Sequence, residues 1–296
     1  MEPQYPLMIA TSDEHPPGIF QLAGAAFWLT IVLFCANTAS AHLALNFPES
    51  RHGPDVLKEG PCGIEGSSRG ENISVFAPGG TIEVQWNEYI DHPGHFRTAF
   101  DESGNDSFQD PVCLDNCNSR SMVIEQQAAD PTVLLDAIPD TPIGGLSSAS
   151  VTLPNIECDN CTLQVIQVMT DKPPYAIGGI DLYYQCADIV LTSSAIYSNS
   201  NQILKMPVVL VDGDALYNVR LQLDQQNRYS LLGYSTTIDL GEGEESPVAS
   251  ATYSTESRIL AIVKLQVGDE IFYDARLLLK IDGVFELLEI SNTPPN

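Results

Sequence analysis

Basic residues are scarce in this chain: 296 residues hold 13 Lys and Arg against 39 Asp and Glu, a formal charge of −26. A nucleic-acid partner, which needs a basic footprint, is excluded on that ground. Sustained helical periodicity is almost missing, which excludes a helical bundle. No Gly-x-Gly-x-x-Gly or P-loop pattern occurs. A dinucleotide fold and a nucleotide-phosphate loop therefore have no support. The Gly-x-Ser-x-Gly match at Gly66–Gly70 lacks an apolar strand pattern before it and a helical pattern after it, so it does not read as a serine-hydrolase elbow. The many carboxylates are scattered and do not by themselves make a glycosidase acid/base pair. Beyond residue 195 there is neither His nor Cys, so metal or redox chemistry belongs to the part before it.

An uncharged, mostly apolar run spans Ile19–Ala36, followed by Ala39-Ser40-Ala41. A small-x-small pattern after an apolar stretch reads as a signal-peptidase site, so residues 1–41 are expected to be a cleaved signal peptide. A short membrane anchor is the alternative. The leader lacks a basic flank and carries Glu2, Asp13 and Glu14. Cleavage would leave a chain starting at His42, with a charge of −23 and no membrane segment, in a secreted, periplasmic or cell-envelope setting. It would also leave six cysteines. An even count after export predicts disulfides, favoured here as Cys113–Cys117, Cys158–Cys161 and Cys62–Cys186, out of 15 possible pairings. A zinc site built from the two short Cys pairs is the alternative.

Short alternating segments broken by Gly, Pro, Asn and Asp dominate the mature chain, which predicts an all-β protein. In Thr81–Trp86, Ile82, Val84 and Trp86 share one face. Phe96–Phe100, Cys161–Met169 and Ile180–Thr192 are further strands; Asp130–Leu135 could be strand or helix. The segments 101–121 and 137–160 read as long, turn-rich connections. Residues 42–194 are expected to form an immunoglobulin-like or fibronectin-like β-sandwich with long loops. Residues 195–296 form a small all-β tail containing two repeats, 202–232 and 258–288, at a constant offset of 56. Matches include Leu204/Leu260, Tyr217/Tyr273, Arg220/Arg276 and Leu221/Leu277. Each unit reads as strand, Gly/Asp turn, strand, loop, strand, and the two units are expected to pack face to face.

An N-terminal His42 would offer a metal both its α-amine and its ring nitrogen. A third nitrogen could come from His52, His92 or His95, a set that suits copper. His92 and His95 flank Pro93-Gly94, a turn expected at the end of the sandwich. His92 is preferred, with His95 the runner-up.

The N-terminal His, the His-x-Gly turn and Tyr183-Tyr-Gln-Cys-Ala-Asp-Ile189 together resemble the lytic polysaccharide monooxygenases. The likeness is to bacterial members described as polysaccharide-monooxygenase-like, which share Gly60-Pro-Cys-Gly63 and the Asp91–Arg97 phrase. It covers about residues 42–192. The resemblance implies one copper ion held by His42 and His92, with Tyr183 on its axis, and pairs Cys62 with Cys186. It implies copper-dependent oxidative cleavage of a chitin-like or cellulose-like surface, by C–H hydroxylation at C1 or C4, with an external electron donor.

Gln164 would donate to bound oxygen, and Arg97 would pair with Asp91 or Glu88. Tyr89, Phe96 and Tyr175 are the aromatics that could form a flat sugar-binding face. Two alternatives use the same residues differently: a non-catalytic copper-binding or copper-delivery protein of the cell envelope, and a metal-free adhesion protein.

Overall fold

In the computed structural model the first ten strands are β1 (Leu43–Phe47), β2 (Ile73–Phe76), β3 (Thr81–Glu88), β4 (Gly94–Asp101), β5 (Cys113–Asp115), β6 (Val123–Ile124), β7 (Val133–Pro139), β8 (Gly145–Thr152), β9 (Cys158–Met169) and β10 (Leu182–Leu191). The structure describes residues 43–126, 130, 132–141, 143–235 and 248–294. The leader and His42 lie outside them. Among the described residues, no helix is long and apolar enough to cross a membrane.

Two sheets, β1-β3-β8 and β2-β10-β9-β4-β7, enclose one core. Ile82, Val84 and Trp86 fill it from the first sheet; Phe96, Phe100, Leu163, Val165 and Tyr183 fill it from the second. Trp86 packs on Phe96 with ring centroids 4.9 Å apart and the planes tilted by 47°. Alternation puts His95 and Arg97 on the outer face of β4, opposite Phe96, and Tyr184 opposite Tyr183. A second cluster containing Ile166, Val168 and Tyr184 packs on that outer face under Met122 and Ile124.

Residues 133–139 are strand, not helix. The connection 137–160 contains β8, an edge strand with the sequence GLSSASVT. Ser and Ala give little strand signal, and Leu146 faces solvent, so the pattern concealed the strand.

The long segment between β1 and β2 is pinned to β10 at several points. Cys62 is bonded to Cys186, Arg51 N donates to Cys186 O, and the Arg51 guanidinium meets Asp188 at 2.7 Å. Arg51 also pairs with Asp106 at 2.7 Å, and Asp188 Oδ2 accepts from Gly70 N. Cys113–Cys117 and Cys158–Cys161 are bonded as well.

The tail contains β11 (Ala195–Ser198), β12 (Ile203–Val211), β13 (Asp214–Leu223), β14 (Arg228–Ser235), β15 (Ala251–Ser254), β16 (Ile259–Val267), β17 (Glu270–Leu279) and β18 (Phe285–Ser291). Each repeat thus owns four strands: the 56-residue offset extends back to Ala195/Ala251, Tyr197/Tyr253 and Ser198/Ser254. The units do not stack as two layers. They join edge to edge into one eight-stranded sheet, β11-β12-β13-β14-β18-β17-β16-β15.

The first strand of each unit crosses to the other unit. β11 runs parallel to β16 and β12 parallel to β15, with Ala195 opposite Leu265 and Val209 opposite Ala251. These pairings interchange under the 56-residue shift, so the sheet closes on itself with pseudo-twofold symmetry. Its interior holds matched pairs such as Leu204/Leu260, Met206/Ile262 and Leu221/Leu277. Closure removes the two free edges that each unit would expose alone. One outer wall of the barrel meets the sandwich, where Val208 and Tyr217 pack on Ala77.

Candidate metal centre

The apolar alternation of β3 runs Ile82, Val84, Trp86 and then Glu88, so a carboxylate occupies the next core-facing position. Glu88 is only 2% exposed. Its Oε1 accepts from Gln167 Nε2 at 2.5 Å and from His92 N at 3.2 Å. Its Oε2 is buried and has no hydrogen-bond partner, and the same holds for Asp140 Oδ1 and Gln167 Oε1. The Asp140 loop closes tightly over the strand end. Gly144 there has φ +61°, and a Cβ on it would lie 2.9 Å from Glu88 O.

Burial, then the neighbouring Asp140 carboxyl, pushes the Glu88 pKa up to about 8. Asp140 is raised as well, by burial and the charge of Asp91. A buried carboxyl facing a half-buried one needs a proton or a cation between them. One ligand oxygen each from Glu88, Asp91 and Asp140 lies within 4.8 Å of the others. Among the described residues this is the group of three His, Cys, Asp or Glu side chains close enough to share an ion. His92 borders it, its Nδ1 3.0 Å from Asp171 Oδ2.

The residues singled out from sequence scatter around this point. His42 falls outside the described residues. His92 and His95 diverge: His95, 3% exposed, lies on the outer face of β4 with Nε2 3.9 Å from Asp136. Burial lowers its pKa. Tyr183 is opposite Gln167 on the inner face and carries the Lys58 ammonium 3.6 Å above its ring. Gln164 is on the opposite face of β9 from Gln167 and donates to Pro61 O at 2.8 Å, which holds the Cys62 loop. Arg97 pairs with Asp136 at 2.7 Å and Glu125 at 3.5 Å, not with Asp91 or Glu88, because it shares the outer face with His95. Phe96 is fully buried and Tyr175 donates to Pro111 O, so with Tyr89 they make no flat aromatic surface.

Gln167, Asp140 and Asp171 were not expected at the site. The signal for Glu88 was available: it continues a core-facing alternation where an apolar residue belongs.

A family model described as copper acquisition factor BIM1-like matches residues 40–203, more than half of the chain. The chain belongs to this family. Membership, together with three disulfides, places it outside the cytosol. Among curated proteins, none matches. Among solved structures, a lytic polysaccharide monooxygenase AA15 from Thermobia domestica in the Cu(I) state is 21% identical, with 45% of this chain and 75% of that one covered. Its TM-score of 0.28 is too low for the likeness to carry an argument.

The monooxygenase expectation is overturned. The BIM1-like family is described by copper acquisition, and the ligand cluster is built of carboxylates with no histidine among its three members. Oxidative cleavage at C1 or C4, oxidoreductase activity, a histidine brace, and chitin or cellulose as substrate do not hold for this chain. The alternative of a copper-binding protein that performs no oxidation fits the family better.

Proposed function

We propose that the chain is an extracytoplasmic copper-binding protein that takes up one copper ion as cargo at the Glu88 end of the sandwich. The observation that carries this reading is the set of three buried oxygens without donors, Glu88 Oε2, Asp140 Oδ1 and Gln167 Oε1. A cation would satisfy all three and displace the proton that Glu88 otherwise keeps. Carboxylates with a neighbouring imidazole suit Cu(II) among the common divalent ions, since copper heads the affinity order for nitrogen and oxygen donors. His92 is the imidazole we assign. The sandwich is taken as immunoglobulin-like, with 42–194 the copper module and 195–296 an accessory barrel.

Cu(II) titration of the full chain, followed by calorimetry and electron paramagnetic resonance, tests the assignment. Glu88→Gln and His92→Ala should each weaken binding ten-fold or more. Wild-type affinity in Glu88→Gln would remove the carboxylate cluster from the copper site.

A further inference from the structure

The two repeats of the barrel provide an internal comparison. Arg276 in the second repeat is opposite Glu289 across β17 and β18, and their side chains pair at 3.0 Å. The equivalent of Arg276 is Arg220, which is opposite Gly233 on β14. The partner acid is therefore absent, and among the described residues Arg220 has no hydrogen bond or ion pair. Two other positions on this wall change in the same sense. Lys205 stands where the second repeat has Ala261, and Asn218 where it has Asp274. All three substitutions make the first repeat's wall more positive. This occurs in a chain with only 13 basic residues among 296.

Lys205, Asn218 and Arg220 line one cavity of about 430 Å³ between the barrel wall and the segments around Glu49 and Ile73 of the sandwich. Lys205 and Arg220 are directly opposite each other on β12 and β13. Lys205 is 8% exposed, and its ammonium donates to Ile73 O, which leaves further donors. Burial first, and the charge of Arg220 next, lower its pKa. Asn218 is 7% exposed, and its amide has no hydrogen-bond partner among the described residues. Glu49 is the acid in the lining, and it accepts from Asn72 at 3.0 Å. Docking of the barrel on the sandwich accounts for Lys205 at Ile73 O. It leaves Arg220 and Asn218 unaccounted for.

We propose that this cavity binds a compact oxyanion, a carboxylate or phosphate group on a small polar ligand, clamped by Arg220 and Lys205 with Asn218 donating its amide. Arginine's planar fork matches either group, and the volume fits a sugar-sized molecule. The missing acid at Gly233 leaves the guanidinium to the ligand.

The test titrates the full chain, isotopically labelled, with inorganic phosphate and separately with glucuronate, following the amide resonances of Ile203, Asn218 and Arg220. A saturable shift with either probe is expected, and the stronger one names the source. Arg220→Gln and Gly233→Glu should each weaken it ten-fold or more, the latter by supplying the counter-charge that Glu289 provides in the other repeat. Arg276→Gln should leave it unchanged. No shift with either probe would overturn the proposal. So would equal binding in Arg220→Gln, or equal loss in Arg276→Gln, which would mean diffuse surface attraction.

Discussion

Replacing Glu88 by Gln removes a charge without removing a hydrogen bond. The amide oxygen can still accept from His92 N and Gln167 Nε2, and its NH2 can donate to the facing Asp140 carboxyl. The folded protein holds Glu88 with a pKa of about 8, whereas an unfolded chain holds it near ~4.3. Between these values the native state binds the extra proton, so stability falls as pH rises from about 4 to about 8 and is flat outside that window. At pH 7 linkage puts the penalty at up to about 3 kcal/mol. Solvent reaching the cluster past exposed Asp91 lowers that to an expected 1–3, roughly. The Gln variant of the metal-free chain should therefore melt roughly 2–10 °C higher at pH 7 to 8 and match wild type at pH 4. Differential scanning calorimetry across pH 4–9, with chelator present, is the assay. An unchanged pH slope, or a lower melting temperature at pH 7.5, would refute the shared-proton account of this site.

Three further outcomes follow from the packing. Asp188→Asn should cost about 3–5 kcal/mol in urea denaturation, because it strips Arg51, whose side chain is 1% exposed, of its closest buried partner. Cys62→Ser should cost about 2–5 kcal/mol by the same assay, since the bridge closes a separation of 124 residues. Leu221→Ala and Leu277→Ala occupy equivalent barrel positions at 1% and 2% exposure. Each should cost about 2–5 kcal/mol; a large inequality between them in denaturant midpoint would deny the pseudo-symmetry.

Much of the fold was legible in the residues because its signals are local. Ile82, Val84 and Trp86 declare their face through a period of two, and the second repeat declares itself by identity at a fixed offset. β8 escaped because an edge strand of Ser and Ala carries no burial pattern. The first strand of each repeat, β11 and β15, escaped because four residues are too few to stand out. The metal centre was legible only in part. His92 was named from its turn, but the strand glutamine singled out was Gln164, and which of two glutamines three apart on a strand faces Glu88 depends on which face the other sheet covers.

Composition, alternation and repetition by themselves determined that this is an all-β chain with a duplicated tail and no basic surface for nucleic acid. Each of those properties depends on neighbours in sequence. Only the tertiary structure decided that His92, in the turn before β4, borders Glu88 while His95 lies on the outer face of β4. It also brought half-buried Asp140 over buried Glu88, and closed the repeats into a barrel by pairing the first strand of each with the other as well as with its own unit. These outcomes depend on pairings between residues tens of positions apart, and no local pattern encodes how such segments meet.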